Sequence, residues 1–176
     1  MFRETRLSGA YLIEPELKDD ARGFFARVWC EKEFAERGLT ARVAQCNISF
    51  NRTKGTLRGM HYQTDPYREA KIVLCTKGAA YDVIIDLRPE SPTFTEWTAS
   101  ELNSENRRMI YVPEGCAHGF QTLKNDTELC YFMSEFYHRE CARGVRWNDP
   151  RFAVNWPLSP GCLSHRDANF PDFREG

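Results

Sequence analysis

The sequence predicts an all-β protein, an antiparallel sandwich or barrel with one short helix near its N-terminus and an irregular C-terminal tail. Short apolar runs recur along the chain and are separated by turn sequences such as Lys77-Gly78. Only Glu31–Arg37 has the pattern of a helix, with acidic residues at its start and Gly38 as its stop. The clearest alternation lies in Ala80–Arg88, where Tyr81, Val83, Ile85 and Leu87 should face one way and Asp82, Ile84, Asp86 and Arg88 the other.

The strand candidates follow one another closely enough to fill one domain. The chain has 176 residues, and we find neither an internal repeat nor a linker in it. From Asn148 onward the chain turns irregular and rich in proline. In order, the predicted strands are Ala10–Pro15, Phe24–Trp29, Val43–Phe50, Leu57–Gln63, Ala70–Thr76, Ala80–Arg88, Thr95–Leu102, Arg108–Val112, Gly119–Leu123 and Glu128–Phe136.

Composition excludes several classes of function. The 24 basic and 25 acidic residues balance, so no general attraction to nucleic acid is expected, and a phosphate site must be built from local arginines. No apolar run approaches the roughly 20 residues that a membrane span needs, and the N-terminus lacks the pattern of a signal peptide. The seven cysteines form no close pair in sequence, which indicates reduced thiols in a cytosolic protein.

The segment Leu57–Gln63 carries the first chemical signal. Our hypothesis is that Arg58 holds a phosphate, His61 takes a proton, and Lys71 faces the negative charge that this creates. Arg58 and His61 are an odd number of residues apart, so a regular strand would send them to opposite faces. They can share a site only if the strand is distorted between them, and Gly59 is where a bulge costs least.

A second signal is the segment Pro113–Phe120. Its spacing, Pro-x-Gly-x-x-His, resembles the second motif of the cupin β-barrels. Metal-binding cupins supply His-x-His in a first motif, but this chain has His61-Tyr62-Gln63 there, which leaves too few ligands for a divalent metal. We therefore predict a metal-free barrel of cupin type. His118 itself is either part of a pocket or a buried histidine bonded to the backbone.

Two further residues have open interpretations. Tyr131 shares a strand face with Met133 and is either a packed aromatic or a proton donor. Asp167, in the irregular tail, is either an exposed turn residue or a carboxylate that bonds His61 and fixes its tautomer.

Taken together, the motifs resemble one family, the dTDP-4-dehydrorhamnose 3,5-epimerases of deoxysugar-nucleotide biosynthesis. The resemblance runs from about Ala21 to Asp167 and implies a homodimeric, metal-free jelly-roll barrel that needs no cofactor. It also implies that N-terminal residues of one subunit reach the partner's nucleotide. The motifs are Arg22–Phe25, Gln45–Ser49, Leu57–Gln63, Ala70–Val73, Ser91–Phe94, Pro113–Phe120, Tyr131, Arg146–Pro150 and Leu163–Asp167.

The resemblance also implies a role for each matching residue. His61 matches the general base, Asp167 its partner, Tyr131 the general acid and Lys71 the residue near the sugar's C4 oxygen. The expected substrate is a nucleotide-linked 4-keto-6-deoxyhexose, whose C3 and C5 protons are acidic because both carbons flank the C4 ketone. The implied substrate-binding residues are Arg22, Phe24, Arg27, Gln45, Asn47, Arg58, His118 and Arg166.

The chain departs from the family at several positions. Arg27 and Ala142 stand where members usually have Glu. Arg166 stands where they usually have Lys, and Phe136 where they often have Tyr. The changes leave the proton-transfer set intact, so they bear on the nucleotide base and on the number of centres inverted. A CDP- or GDP-linked sugar, epimerisation at one centre, a 3,4-ketoisomerase and a non-catalytic sugar-nucleotide-binding barrel therefore stay open; a metal-dependent oxygenase is the weakest alternative.

Overall fold

The protein consists of two facing β-sheets, a separate hairpin and two short helices. The computed structural model describes residues 1–174. The strands are β1 (Phe2–Glu4), β2 (Tyr11–Ile13), β3 (Leu17–Asp20), β4 (Gly23–Ala26), β5 (Gln45–Asn51), β6 (Thr56–Gln63), β7 (Lys71–Lys77), β8 (Ala79–Asp86), β9 (Trp97–Asn103), β10 (Met109–Val112), β11 (Cys116–Thr122), β12 (Thr127–Met133), β13 (Ala142–Gly144) and β14 (Cys162–Leu163), and the helices are α1 (Glu31–Ala35) and α2 (His165–Ala168).

The strand order makes the fold a cupin-type jelly roll, as the sequence predicts. The first sheet runs β1-β2-β10-β7-β12-β5 and the second β13-β6-β11-β8-β9, with β14 added parallel to β6. The strands β3 and β4 form a hairpin that belongs to neither sheet. Neighbours in each sheet are mostly distant in sequence, and the two sheets face each other across one apolar core.

The core between the sheets is built from alternate residues of their central strands. Val73 of β7, Ile110 of β10 and Leu129 of β12 meet Ile84 of β8 and Phe120 of β11, and all five are almost completely buried. Burying apolar surface stabilises the fold by about 25 cal/mol per Å². These side chains fill part of the barrel interior, and Phe120 also borders the cavity described below.

The outer face of each sheet is also covered. Val83 and Ile85 of β8 point outward and pack against Phe152 and Phe173 of the C-terminal tail, which confirms the predicted alternation in this strand. Apart from the two residues of β14, which pair with β6, and the short helix α2, the described part of the tail has irregular backbone.

The helix α1 covers the outer face of the first sheet. Its buried Phe34 packs against Ile72, Met109 and Tyr111. The helix ends at Ala35, two residues before the predicted end, and a turn continues to Gly38, which has a positive φ of 67°. The predicted stop residue is therefore confirmed, although the hydrogen-bonded helix is shorter than expected.

Several boundaries and elements differ from those predicted. The strand β11 begins at Cys116 rather than Gly119, because its small and polar first residues carry no strand signal. The strands β1, β3, β13 and β14 and the helix α2 were not predicted, since they have only two to four residues and no local periodicity. Within residues 1–174, neither helix is long and apolar enough to cross a membrane.

Candidate active site

A cavity of about 420 Å³, lined mainly by polar side chains, opens between the two sheets, at the end of the barrel that the apolar core leaves free. Residues from both sheets and from the tail line it. Eight of the residues predicted from the sequence lie in its wall: Gln45, Asn47, Arg58, His61, Lys71, His118, Tyr131 and Arg166.

A bulge in β6 puts Arg58 and His61 on the same side of the strand. His61 pairs with His118 and Arg58 with Phe120, so two residues of β6 lie opposite Gly119 alone. At the bulge Gly59 has a φ of +128°, and a Cβ on it would lie 2.6 Å from the Cα of Gly119. Glycine is thus required by both its conformation and its contact. The predicted distortion at Gly59 is confirmed.

His61 is paired with Asp167 from the tail. Its Nε2 lies 2.7 Å from Oδ1 of Asp167, whose side chain is only 6 % exposed, whereas 40 % of the His61 side chain is exposed. In the neutral imidazole, Nε2 then carries the hydrogen and donates a hydrogen bond to the carboxylate. This leaves Nδ1 as the basic nitrogen. His61 can therefore act as a general base, and Asp167 fixes its tautomer.

The position of Asp167 depends on two local contacts. Its backbone N–H donates to Oγ of Ser164, which caps α2, and its Oδ2 accepts a bond of 3.2 Å from the backbone N–H of Gly59. Burial alone would raise the pKa of Asp167, but the bonds from His61, Gly59 and Ser164 outweigh it and lower that pKa. The carboxylate is thus ionised at neutral pH and can support the imidazole.

Tyr131 enters the same cavity from the first sheet. Burial, and then the nearby charge of Asp82, raise the pKa of Tyr131 far above its ordinary value, although Arg58 and a bond with Ser49 oppose this. Its ring meets the ring of His118 edge-on, with centroids 6.1 Å apart. The phenol is therefore protonated, so it can donate a proton but does not act as a base.

His118 is held by a buried carboxylate, not by the backbone. Its Nε2 lies 2.9 and 3.0 Å from the two oxygens of Asp82, which is completely buried. Burial raises the pKa of Asp82, and the charges of His118 and Lys71 partly offset this effect. The interpretation of His118 as a histidine bonded to the backbone is wrong.

Lys71 lies at the base of the cavity with a buried partner. Its Nζ is 3.0 Å from Oε1 of Glu69 and donates to the backbone oxygen of His61 at 3.3 Å. Both side chains of the ion pair are more than nine-tenths buried. A cation held in this way can stabilise negative charge that develops on a substrate oxygen in the cavity.

The remaining predicted cavity residues are polar groups around this set. Arg58 donates from Nε to Oδ1 of Asn51 at 2.7 Å, which orients the guanidinium. Gln45 accepts from the backbone N–H of Tyr137 at 2.8 Å, which ties β5 to the loop after β12. Among residues 1–174, no group of three or more His, Cys, Asp or Glu side chains is placed to hold a metal ion.

Comparison with known proteins identifies the family. A family model described as dTDP-4-dehydrorhamnose 3,5-epimerase matches residues 4–175. The chain belongs to this family. A relative of that name from Sinorhizobium fredii is 39 % identical over 175 residues, which cover 99 % of this chain and 90 % of the relative.

Other members of the epimerase family are similarly close. The crystal structure of the dTDP-4-dehydrorhamnose 3,5-epimerase from Bacillus anthracis, with TDP and PPi bound, has a TM-score of 0.94 and 39 % identity and covers 98 % of this chain and 99 % of that chain. A dTDP-4-dehydrorhamnose 3-epimerase from Streptomyces niveus is 38 % identical, over 94 % of this chain and 80 % of the relative.

Three predicted nucleotide contacts lie outside the cavity of their own chain. Arg22, Phe24 and Arg27 belong to the exposed hairpin of β3 and β4 and its continuation. Arg22 is paired with Asp20, and Arg27 with Glu33 at 3.0 Å. None of the three lines the cavity that holds His61.

Sequence reasoning missed several residues that support the site. Asp82 was placed on one face of its strand, but nothing in the sequence linked it to His118. Glu69 precedes the predicted strand Ala70–Thr76, and no motif indicated that it is the buried partner of Lys71. Phe170 packs against His61 and beneath Arg166, and no motif indicated it. All three act through contacts between segments that are distant in sequence or through a short irregular turn, so no local pattern reveals them.

Proposed function

We propose that this protein epimerises a dTDP-linked 4-keto-6-deoxyhexose, converting dTDP-4-dehydro-6-deoxyglucose to dTDP-4-dehydrorhamnose. One observation carries the proposal. His61 of the second sheet, whose Nε2 is paired with Asp167 of the tail, and the protonated Tyr131 of the first sheet line one cavity together with Lys71. This arrangement supplies a base, an acid and a cation for an enolate.

The reaction follows from the acidity of the substrate. Removal of a proton from C3 or C5 moves negative charge to the C4 oxygen, and Lys71 stabilises that charge. Nδ1 of His61 takes the proton from one face of the sugar, and the Tyr131 hydroxyl returns one from the other face, which inverts the centre. Positioned acids and bases each contribute about 10²–10⁴-fold to such a rate, and a charged donor in a water-poor site adds several kcal/mol.

The nucleotide assignment rests on the relatives and on arginines. The Bacillus anthracis relative has TDP and PPi bound, and Arg58 and Arg166 lie in the wall of the cavity here. Guanidinium groups bind phosphate through paired hydrogen bonds. We assign the diphosphate to Arg58 and Arg166, and polar contacts of the sugar and neighbouring groups to Gln45, Asn47 and His118.

We further propose that the protein acts as a homodimer in the cytoplasm. Ile48 and Phe50 on the outer face of β5 are 67 % and 44 % exposed, and Phe25 of the hairpin is 70 % exposed. Large apolar side chains grouped on an outer face favour contact with another chain. In this dimer Arg22, Phe24 and Arg27 contact the nucleotide in the partner's site. The seven cysteines are free thiols, which supports a reducing compartment.

The test is isotope exchange. We would incubate the protein in deuterated water with 4-keto-6-deoxyglucose linked to dTDP, CDP or GDP and follow C3 and C5 by NMR. We expect deuterium at both carbons of the dTDP-linked sugar and slower exchange with the other nucleotides. A folded protein that exchanges neither carbon of any of the three substrates would refute the proposal.

A second candidate is epimerisation at C3 alone. The 3-epimerase from Streptomyces niveus is nearly as similar to this chain as the 3,5-epimerases are. The same experiment separates the two functions, because a 3-epimerase would introduce deuterium at C3 and leave C5 protonated.

A further inference from the structure

Phe170, two residues beyond the helix α2, contacts both a proposed catalytic residue and a proposed substrate-binding residue. Its ring meets the His61 imidazole edge-on, with centroids 5.9 Å apart and planes at 72°. The guanidinium carbon of Arg166 lies 5.5 Å from the centre of the same ring. One half-buried aromatic therefore links the base to an arginine in the cavity wall.

Gly144 provides the space that this ring occupies. Gly144 of β13 pairs directly with His61 of β6, so a side chain there would lie beside the imidazole. A Cβ on Gly144 would collide with the Cε1, Cζ and Cε2 atoms of Phe170. The tail thus delivers an aromatic ring to the place where the neighbouring strand has no side chain.

The contact bears on the orientation of the imidazole. With 40 % of its side chain exposed, His61 is open on the cavity side. A tilt of the ring about its Cβ–Cγ bond would move Nε2 away from Asp167. Because an edge-to-face contact depends on the angle between the two ring planes, such a tilt would also lose the contact with Phe170, which therefore disfavours it.

We propose that Phe170 is a positioning residue for the proton-abstracting histidine. Seated over Gly144, it holds the imidazole in the orientation that bonds Nε2 to Asp167 and leaves Nδ1 for the substrate. Its effect on turnover rests on the proposed epimerase function, whereas its effect on the state of His61 does not. Phe170 itself donates and accepts no proton.

The kinetic test compares the wild type with Phe170→Ala, Phe170→Tyr and Gly144→Ala. We expect Phe170→Ala to lower kcat for C3 and C5 exchange by about tenfold or more, with KM changed less than about twofold, because misplacement of a reacting group acts on the chemical step. Gly144→Ala should act in the same direction by displacing the ring. Phe170→Tyr retains the ring and should restore most of the rate.

The matched control is Phe173→Leu. Phe173 lies in the same tail but packs against Phe94 and Phe152, away from His61. This variant should lose stability without a change in kcat. If Phe170→Ala raises KM alone, its ring acts on substrate binding through Arg166, and the proposal is wrong.

A spectroscopic test keeps the two proposals apart. Long-range ¹H–¹⁵N spectra of the histidine rings report which nitrogen carries the proton, and a His61→Asn variant identifies the signals of His61 among the four histidines. The wild type should show a single Nε2–H tautomer, and Phe170→Ala and Gly144→Ala a mixture. An unchanged tautomer in both variants would overturn the proposal. Should the wild type prove inactive, the epimerase function fails while these spectra still decide the role of Phe170.

Discussion

Three side chains of the cavity, His61, Lys71 and His118, are each held by a neighbouring carboxylate. Asp167 bonds His61, Glu69 bonds Lys71, and Asp82 bonds His118 beside Tyr131. Such partners fix orientation and protonation state, which a side chain that is free to rotate cannot maintain. The orientation of these three side chains is therefore set by a pair rather than by the residue alone.

At this scale we predict that Asp167→Ala lowers kcat by about 10²–10⁴-fold. The loss follows because His61 no longer has a carboxylate to fix its Nε2–H tautomer and to stabilise the imidazolium that forms. The measurement is the initial rate of isotope exchange at saturating substrate. Asp172→Asn is the matched control, since this aspartate lies in the same tail, half exposed and paired with Arg146. Equal rates for the two variants would contradict the assigned pair.

Local sequence predicts only part of this residue-scale picture. Arg58, His61, Lys71 and Tyr131 stand in recognisable motifs on strands, and all four line the cavity. Their partners cannot be predicted in the same way, because the contact between Asp82 and His118 depends on which strands become neighbours. Asp167 was predicted only through the family resemblance, since 106 positions separate it from His61.

At the scale of elements, the bulge in β6 decides whether Arg58 and His61 share the cavity. It was predicted from an odd spacing and a glycine, so this feature of geometry is readable from sequence. The role of Gly119 on β11 could not be predicted from the sequence in the same way. It leaves room for the bulge, because a Cβ on Gly119 would lie 2.7 Å from the backbone oxygen of Arg58.

We predict that Gly59→Ala destabilises the protein by at least about 2 kcal/mol more than Gly23→Ala does. Both glycines have a φ near +125°, but a Cβ at Gly59 would contact Gly119, whereas nothing lies within 4 Å at Gly23. Urea unfolding at neutral pH measures the difference. Comparing the two variants separates the free-energy cost of the backbone conformation from that of the contact between the added Cβ and Gly119. Equal losses of stability in both variants would show that the bulge tolerates a side chain.

The carboxylate of Asp86, at the end of β8, makes a pH-dependent contribution to the stability of the fold. The side chain of Asp86 is completely buried, and burial alone would raise its pKa. Hydrogen bonds from Arg88, Ser91 and Thr93 outweigh this effect and lower the pKa of Asp86 from 3.8 to about 2. One pKa unit corresponds to about 1.4 kcal/mol, so the ionised group contributes about 2 kcal/mol at neutral pH.

Because the folded pKa of Asp86 lies below its unfolded value, this stability is present above pH 4 and is lost as the pH falls from about 4 towards 2. Asp86→Asn should therefore cost at least about 2 kcal/mol at pH 7 and roughly half as much at pH 3. Urea unfolding of both proteins at the two pH values checks this. Glu105→Gln, which changes an exposed carboxylate, should show no such difference.

At the scale of the whole molecule, the fold class was predictable because it depends on a pattern repeated along the chain. Many short strands with turn residues between them can close only as a sandwich or barrel. The path of the tail was not predictable, since no periodicity marks residues 145–174. That tail nevertheless covers one sheet and delivers Asp167 and Phe170 to His61.

The proposed homodimer predicts complementation between two impaired variants. His61→Asn removes the base, and Arg22→Ala removes a contact that the proposal assigns to the partner's nucleotide. Each variant alone should be impaired at low substrate concentration. Unfolding and refolding them as an equal mixture should give heterodimers with one intact site, and about a quarter of wild-type activity. No recovery, with dimers verified by ultracentrifugation, would place Arg22 outside the partner's site.

The most direct test of the account is isotope exchange by Tyr131→Phe and His61→Asn in deuterated water, with dTDP-4-keto-6-deoxyglucose as substrate. We predict that His61→Asn introduces no deuterium at C3 or C5, since the base is gone. Tyr131→Phe should still exchange protons but form little inverted product, because the acid on the other face is missing. Full exchange and inversion in both variants would contradict the proposal that these two residues transfer the protons.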